Sequence, residues 1–348
     1  MRAIVPGMSK PPFVPVPKHV DGAALFAAAR RLDTKLRKRW PIIEVGLAAL
    51  PAPGCQPRYW ASWFEQKMPS ALNYLQVYAF IVGQALPPVP LRDVRLLDYG
   101  GGWGLMGLLA KEAGVGSVTY LDPNEGAARA AATVAEAVAL PFDRRLVGDE
   151  SALTGSYNAV VSSDVIEHVY SPARVFAAIA KVSEPGARSF HQTGANPYSV
   201  VMRRRLVRLH RQEEPRLCDE RRAVIEAAGM SGPEAEALAT ASRGLDRADI
   251  EAAVARFKAD GTAPTPDHPT NTCDTSGYWY ERLMRPDAVA ATMTRAGFIS
   301  RVASCYWGPG DSPRHIRAVK HILNLASRLS RRAGLYVVNH YGIAGTRG

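Results

Sequence analysis

Four glycines follow a single aspartate at the end of a short apolar stretch, in the run Leu96-Leu97-Asp98-Tyr99-Gly100-Gly101-Gly102-Trp103-Gly104. Glycine lets the backbone turn sharply and approach a ligand closely, because it has no Cβ. A buried carboxylate beside such a turn repels a pyrophosphate, whereas it attracts a ligand that carries an ammonium group. The run therefore predicts a binding turn for a cationic ligand, made by Asp98, Gly100, Gly102 and Gly104.

A literal G-x-G-x-x-G, from Gly102 to Gly107, lies in the same run, and such a match alone is weak evidence for a dinucleotide site. In the dinucleotide motif the first glycine closes the strand directly. Here we expect the strand to close at Asp98, so that Gly100 is the first turn residue and Gly107 falls inside the following helix. We therefore interpret Gly107 as a residue of close helix–sheet packing, and the register argues against NAD.

Strand and helix patterns alternate through the region that follows Val94. Short β-branched and apolar runs predict strands, and amphipathic spacing predicts helices between them. Such βαβ units build a parallel, doubly wound sheet whose ligands bind outside the carboxyl ends of the strands. The predicted strands are Val94–Asp98, Ser117–Leu121, Arg145–Val147, Tyr157–Ser162 and Ala187–Gln192, and the predicted helices are Gly104–Ala113, Glu125–Ala139 and Ser171–Val182.

Two helical regions precede and interrupt this alternation. Helical spacing runs from Asp21 to about Gln84, with expected breaks at Pro41 and at Pro51-Ala52-Pro53-Gly54. Residues 198–284 carry helical segments and a loop rich in proline and threonine, and we interpret them as an inserted helical cap. Its predicted helices are Met202–Arg211, Glu220–Ala228, Pro233–Ser242 and Arg247–Lys258.

The alternation resumes at Pro286, which is well placed as a first helical residue. It predicts a helix to Ala296, a strand Phe298–Ser304, a helix Asp311–Ala333 and a last strand Leu335–Tyr341. The fold class is therefore α/β, a doubly wound and mostly parallel seven-stranded sheet with an N-terminal helical region and an inserted cap. The expected divisions are 1–90 as a helical lid or substrate region, 91–197 as the ligand-binding core, 198–284 as the cap and 285–348 as the rest of the core.

The run from Leu97 to Gly104 resembles motif I of the class I S-adenosylmethionine-dependent methyltransferases, which have a Rossmann-like fold. Later features of that family follow in the same order, and together they carry the resemblance over residues 94–197 and 285–342. They are Tyr120-Leu121-Asp122-Pro123, Val147-Gly148-Asp149, the stretch from Tyr157 to Val169, Pro185-Gly186-Ala187, and the helix and turn from Arg285 to Phe298. One departure is the helical segment Asp311–Ala333, because the family usually joins its last two strands by a short hairpin. We interpret that segment as a lid or an oligomer contact.

The resemblance implies S-adenosylmethionine as the cofactor. It implies that Asp122 accepts hydrogen bonds from both ribose hydroxyls and that Asp149 faces the adenine amino group. From the residues alone, Asp98 and Asp122 could instead serve turns, and Asp149 could cap the segment after it. Four further residues are assigned to the cofactor site, namely Pro123, Glu150, Ser163 and Asp164.

Two histidines are the candidate catalytic bases. His168 follows the fourth predicted strand and His191 lies within the fifth, so we expect both near the transferred methyl group. Histidine titrates close to neutral pH, and a base helps when the acceptor holds its proton at that pH, as alcohols do. Simple packing is the alternative for each.

The stretch Asp164-Val165-Ile166-Glu167-His168 is also similar to the acid-x-x-Glu-His element of metal-dependent relatives, including small-RNA 2′-O-methyltransferases and ubiquinone-pathway O-methyltransferases. With His191 as a fourth ligand, this mixed nitrogen and oxygen set would suit a divalent ion. The first acid is Asp here, where the element usually has Glu, and we predict no metal.

Aromatic residues are dense between Tyr59 and Phe80. As a lid, this stretch would bring Trp60, Trp63 or Tyr74 over the cofactor, where aromatic faces stabilise a sulfonium cation. Packing in the core is the alternative. The run Tyr278-Trp279-Tyr280 could line the acceptor pocket in the same way.

The chain has 43 Lys and Arg against 32 Asp and Glu, a net charge of +11. Nucleic acid, a membrane surface or an acidic substrate could exploit this charge, but the basic run from Arg203 to Arg211 is typical of a solvated helix face. We therefore do not expect nucleic acid as a partner. No apolar stretch of about 18 residues predicts a membrane span, and four widely separated cysteines fit a reducing cytosol.

These features predict a cytoplasmic methyltransferase that acts on an oxygen or nitrogen of a small molecule in specialised, or secondary, metabolism. The N-terminal helices and the cap would enclose such an acceptor, and a homodimer is compatible with the sequence. One alternative is a lyase or cyclase that uses the sulfonium to cyclise the cofactor's own aminobutyrate arm. The other is an RNA-modifying or nucleic-acid-binding protein that retains the fold.

Overall fold

A seven-stranded sheet lies at the centre of the computed structural model, which describes residues 16–50, 71–266, 270–305, 307, 312–329, 334–336 and 338–348. Its strands are β1 (Arg95–Tyr99), β2 (Ser117–Asp122), β3 (Arg144–Val147), β4 (Tyr157–Ser163), β5 (Ser183–Thr193), β6 (Phe298–Ser304) and β7 (Tyr341–Arg347). They lie in the order β3-β2-β1-β4-β5-β7-β6. Strands β1 to β5 pair in parallel, whereas β7 runs antiparallel to both of its neighbours. The predicted doubly wound, mostly parallel architecture is confirmed.

Helices cover both faces of this sheet. The longer described helices are α1 (Gly22–Ala48), α2 (Ala71–Ala85), α3 (Leu105–Ala113), α4 (Glu125–Ala137), α5 (Pro172–Val182), α6 (Val200–Ala227), α7 (Gly232–Ala241), α8 (Arg247–Asp260), α9 (Pro286–Arg295) and α10 (Arg314–Leu329). Helices α1 to α4 share one hydrophobic core with the sheet, and α5 and α9 share the other. Among the described helices, none is both long and apolar enough to cross a bilayer.

The N-terminal region contributes α1 and α2 to the core on the first face. Helix α1 begins after Asp21, whose side chain accepts hydrogen bonds from the backbone N–H of Ala23 and Ala24. The predicted break at Pro41 is wrong, because α1 continues through it. Leu36 and Ile43 are fully buried on either side. Burial of two such side chains is worth about 1.5–3 kcal/mol each, which offsets the cost of about 3 kcal/mol for an internal proline.

Helices α6, α7 and α8 form the predicted helical insertion and share a small core of their own around Val224, Leu238 and Ile250. The sequence predicted two helices where α6 is one continuous helix through Pro215. A buried ion pair spans that proline, since Arg221 Nη2 lies 2.5 Å from Glu214 Oε1. The division of the chain into 1–90, 91–197, 198–284 and 285–348 stays a prediction.

The last strand begins at Tyr341, and the predicted strand Leu335–Tyr341 is wrong. Residues 334–336 form a helical turn instead. The sequence pattern did not predict β7, because this strand contains Gly342 and Gly345, which lower strand propensity. Both glycines are required by packing: a Cβ at Gly342 would lie 2.3 Å from Phe190 Cζ, and one at Gly345 would lie 2.3 Å from Met293 Cε.

Candidate functional site

The carboxyl ends of the parallel strands meet at one edge of the sheet. β1, β2, β3 and β4 are neighbours through β3-β2-β1-β4, so the loops that follow them adjoin one another. These loops hold the predicted cofactor residues from Gly100 to Asp164. The topology therefore brings the predicted cofactor site together, as ligand sites of doubly wound sheets require.

The glycine turn after β1 has a left-handed backbone at three positions. Gly100, Gly102 and Gly104 have φ angles of +68°, +50° and +71°, which L side chains adopt rarely. A Cβ at Gly104 would lie 2.5 Å from Phe142 Cζ, whereas one at Gly102 would meet nothing within 4 Å. Gly104 therefore allows close packing, and Gly102 is the position where the turn faces open space.

Asp98 lies directly beneath this turn. Its side chain is fully buried, and its Oδ2 accepts a hydrogen bond from Gly107 N at 2.9 Å. Burial raises the pKa of Asp98 to about 7, although the Gly107 N–H lowers it. Its Oδ1 is buried with no hydrogen-bond partner in the described structure. This orphaned oxygen fits the predicted role beside an ammonium group.

Asp122 connects the end of β2 to the same turn. Its Oδ2 accepts a hydrogen bond from Gly102 N at 2.9 Å, and its Oδ1 accepts one from Asn124 N at 2.9 Å. Burial raises the pKa of the Asp122 carboxyl, and these two N–H groups oppose that effect. Each oxygen keeps a further lone pair for a hydroxyl donor. Pro123, which follows, is exposed at the edge.

Asp149 caps the short helical turn Glu150–Ala152 after β3. Its Oδ1 accepts hydrogen bonds from Ser151 N at 2.8 Å and Ser151 Oγ at 2.6 Å, which lower the pKa of Asp149. Glu150 pairs with Arg174 of α5 at 3.1 Å. The capping alternative is thus observed for Asp149, and its contact with adenine stays a prediction.

Ser163 is the last residue of β4, and Asp164 begins the loop that follows. Asp164 has a left-handed backbone with φ +53°, and its Oδ1 accepts a hydrogen bond from Gly194 N at 2.8 Å. Ser163 Oγ lies 3.3 Å from Asp164 Oδ2. A non-glycine residue in this conformation stores strain, and the contact with Gly194 fixes the loop against the end of β5.

His191 lies inside the protein and apart from His168. It is 1% exposed in β5, its Nδ1 shares a 2.8 Å hydrogen bond with Ser162 Oγ, and its ring meets Phe176 of α5 edge-on at 5.2 Å. Burial lowers the pKa of His191 to about 3. The packing alternative accounts for all of these contacts. Alternation along the strand placed this side chain on the face that α5 covers.

His168 lies at the sheet edge and contacts the end of the insertion. Its Nδ1 donates a hydrogen bond to Trp279 O at 2.8 Å, which leaves Nε2 as an acceptor. Its ring stacks on Tyr278 with centroids 4.9 Å apart and an interplanar angle of 5°. The predicted pocket aromatic Tyr278 is thus in direct contact with the predicted base. Trp60 and Trp63 lie outside the described residues.

Sequence reasoning missed Glu281, which lies beside His168. Ligand atoms of Glu167, His168 and Glu281 lie within 4.8 Å of one another. Glu167 is fully buried, and burial, Asp164 and Glu281 together raise its pKa well above the usual value. Glu281 has a left-handed backbone with φ +57°. No sequence motif connects Glu281 with the stretch Asp164–His168, which lies far from it along the chain.

This cluster differs from the metal set that the sequence offered as an alternative. Glu167 and His168 belong to it, but Glu281 stands where His191 was expected. His210 of α6 holds the backbone there, because its Nε2 donates to Glu281 O at 3.2 Å. Burial raises the pKa of Glu281 as well, so that a proton can neutralise the pair of carboxyls. The prediction that the site has no metal stays a prediction.

Residues 61–225 match the model of a family described as a methyltransferase domain. A ubiquinone biosynthesis O-methyltransferase from Thiobacillus denitrificans is 34% identical over 108 residues, which cover 30% of this chain and 46% of that protein. The chain thus spans about half the length of the curated relative that it matches.

Two solved structures of methyltransferases are similar to this chain at low sequence identity. An S-adenosylmethionine-dependent methyltransferase from Mesorhizobium loti is 16% identical, with a TM-score of 0.37 over 74% of this chain and 94% of the other. A geranyl diphosphate C-methyltransferase from Streptomyces coelicolor is 14% identical, with a TM-score of 0.40 over 86% of this chain and 88% of the other. The family match and the glycine turn agree: residues 61–225 are similar to a methyltransferase domain, and the turn lies at the carboxyl edge of the sheet, as the resemblance to class I S-adenosylmethionine-dependent methyltransferases implies.

Proposed function

We propose that this protein transfers the methyl group of S-adenosylmethionine to an oxygen or nitrogen of a small-molecule acceptor in specialised metabolism. The observation that carries the cofactor assignment is the glycine turn, which is open at Gly102 and has the orphaned Oδ1 of Asp98 beneath it. Asp122 lies against the same turn. When bound, S-adenosylmethionine supplies a methyl group on a sulfonium leaving group that is already activated.

The chain's own residues then have binding, orienting and proton-accepting tasks. Asp98 faces the ammonium group, Asp122 accepts hydrogen bonds from the ribose hydroxyls, and Asp149 faces the adenine. Pro123, Glu150, Ser163 and Asp164 complete the walls of the site. Holding acceptor and methyl donor in line can supply roughly 7–11 kcal/mol of the barrier in favourable cases.

His168 is the base in this proposal. Its Nδ1 proton is held by Trp279 O, so that Nε2 can accept the proton of a hydroxyl acceptor. Tyr278 stacks on the ring and fixes its plane. Both Tyr278 and Trp279 come from the end of the insertion, which supports the proposal that this region encloses the acceptor and excludes water. We leave His191 out of the mechanism, because its ring is enclosed by Ser162 and Phe176.

The similar protein from Thiobacillus denitrificans is named for an O-methyltransferase reaction, which supports a hydroxyl acceptor. Free thiols at Cys218, Cys273 and Cys305 support a place in the reducing cytosol.

Mass spectrometry of products from methyl-labelled S-adenosylmethionine tests the proposal. The enzyme is incubated with labelled cofactor and an extract of the source organism that contains both small molecules and RNA, and Asp122→Ala enzyme is the control. Label on a second small molecule supports the transfer. Release of methylthioadenosine without a labelled acceptor would show a lyase-type reaction, and label only on RNA would show a polymer acceptor.

A further inference from the structure

Helix α10 is attached to the protein through Lys320 and Asn324. Asn324 is buried, and its Oδ1 accepts a hydrogen bond from Trp307 N at 2.8 Å while its Nδ2 donates to Trp307 O at 3.0 Å. Lys320 Nζ donates to Ser312 Oγ at 2.8 Å. These contacts attach α10 by its polar edge to the segment that follows β6.

The apolar side of α10 faces solvent. Four apolar residues recur at every third position, and at about 100° per residue they cover half of the helix circumference. Within the described chain, no other helix packs along α10. A helix of a globular protein normally buries such a stripe, so the exposed stripe indicates a contact beyond those that the described residues make. Its members and exposed fractions are Ile316 at 40%, Val319 at 51%, Ile322 at 66% and Leu325 at 56%.

The other half of α10 is basic. Arg314, Arg317 and His321 are exposed there beside Lys320, and the helix contains no acidic residue. A helix with this division between apolar and basic halves matches the interface of an anionic membrane, where the apolar half enters the acyl boundary and basic residues meet the headgroups.

The segment that precedes β7 lies against the start of α6. Tyr336 is 64% exposed, and its ring centroid lies 5.4 Å from that of Tyr198. Asn196 Nδ2 donates hydrogen bonds to Leu335 O at 2.8 Å and to Val338 O at 2.9 Å, which fix the two segments together. Tyrosine favours the headgroup level of a membrane.

The first turns of α6 carry the same combination of side chains. Val200 and Val201 are exposed there. They border an open cleft of about 530 Å³ that Arg204, Arg205 and Arg208 also line. Apolar and basic side chains thus occur on two elements that begin or end at the carboxyl edge of the sheet.

We propose that α10, Tyr336 and the first turns of α6 dock on a membrane surface that contains anionic lipid. The net charge of +11 favours the same partner. A second copy of the chain fits less well, because a two-fold contact of α10 with itself would bring like charges of the two helices together. This docking goes beyond the proposed reaction and does not depend on it.

Vesicle flotation of the full chain tests this docking. The probes are phosphatidylcholine vesicles with and without phosphatidylglycerol, in the absence of cofactor. We expect flotation with the anionic vesicles only, and weaker flotation as salt is raised. Ile322→Asp should lower vesicle affinity on the order of tenfold, because it removes an inserted side chain and adds repulsion of the headgroups. Ile42→Asp is the matched control, since Ile42 is 56% exposed on α1, and it should bind as the unchanged chain does.

Thermal melting of each variant shows that it folds, and Val319→Asp repeats the test at a second position of the stripe. Equal flotation of Ile322→Asp and the unchanged chain would overturn the proposal. So would a dimer in analytical ultracentrifugation that Ile322→Asp disperses while no form binds vesicles. Binding to an RNA oligonucleotide without binding to vesicles would also overturn it.

Discussion

At the residue scale, Asp122 links the second strand to the glycine turn through one carboxylate. We predict that Asp122→Ala lowers the affinity for S-adenosylmethionine on the order of a hundredfold. The reason is the loss of charge-assisted hydrogen bonds to the ribose hydroxyls, each worth about 1.5–3 kcal/mol. Isothermal titration calorimetry measures the change.

Asp143→Ala is the matched control for this variant. Asp143 also accepts a backbone hydrogen bond, from Val118 N at 2.7 Å, but it precedes β3 and lies at the other edge of the sheet. Its loss should lower the melting temperature and leave the cofactor affinity unchanged. Unchanged affinity in Asp122→Ala would refute the register that places the cofactor at this edge.

The carboxyl group of Asp98 should make the affinity for the cofactor depend on pH. Its pKa is about 7 in the free protein, so below that pH the carboxyl is protonated and must release its proton to meet a cationic ligand. We predict that S-adenosylmethionine binds more tightly as pH rises from 5.5 to 7, by up to about tenfold per unit. The pH range from 5.5 to 7 ends below the pKa of an α-amino group, which is roughly 7.7–8.0. Asp98→Asn should bind weakly and with a flatter profile, and an equally steep profile in that variant would assign the proton to another group.

Experiments on His168 distinguish two roles for this residue, catalytic base and metal ligand. We predict that His168→Gln lowers kcat by roughly 10²–10⁴-fold for a hydroxyl acceptor, with little change in cofactor affinity. Treatment of the unchanged enzyme with EDTA should leave the rate intact, because protons can neutralise Glu167 and Glu281. If EDTA abolishes the reaction and Mn²⁺ restores it, then Glu167, His168 and Glu281 act as ligands instead.

Acids at or just after the carboxyl ends of strands were predictable at this scale, because the carboxyl ends of parallel strands converge. Asp98, Asp122 and Asp164 were placed in that way. Glu281 could not be found, because its position depends on how a long insertion returns to the core. The role of His191 was equally hidden, since a strand pattern does not say which face a helix will cover.

At the element scale, β7 depends on two glycines for its packing, Gly342 against Phe190 of β5 and Gly345 against Met293 of α9. We predict that Gly342→Ala lowers the free energy of unfolding by about 1–3 kcal/mol, as overpacking in a core does. The added Cβ would lie 2.3 Å from Phe190 Cζ. Denaturant unfolding measures the loss.

A double-mutant cycle with Phe190→Leu provides the control. The smaller side chain costs stability alone, but it should make room for the new methyl group, so that the combined loss is less than the sum. Additive losses would show that Gly342→Ala acts through the backbone and not through Phe190.

Elements with clear periodicity were predicted from the sequence, and the errors share one cause. Pro41 was expected to break a helix, α6 was predicted as two helices on either side of Pro215, and the glycines of β7 concealed a strand. In each case tertiary burial outweighed a local preference, which sequence patterns do not report.

At the scale of the whole molecule, helices α6 and α10 both begin at the same edge of the sheet. Helix α6 follows the end of β5, and α10 follows the end of β6, which is parallel to β5 through β7. The same edge holds the glycine turn. We therefore propose that insertions at that edge provide the acceptor contacts beside the proposed cofactor site, a division that is common when sites are built on a scaffold.

The insertion has its own core, and it should therefore unfold separately when that core is weakened. Arg221 has no exposed side-chain surface and pairs with Glu214, so Arg221→Leu should destabilise α6 to α8 by roughly 3–5 kcal/mol. We predict two transitions in differential scanning calorimetry, with cofactor affinity retained because Asp98 and Asp122 lie outside the insertion. Arg222→Leu is the control, since its pair with Asp219 is at the surface and is worth about 0–1 kcal/mol. A single transition in Arg221→Leu, with cofactor affinity lost at the same temperature, would instead make residues 198–284 part of one cooperative unit with the sheet.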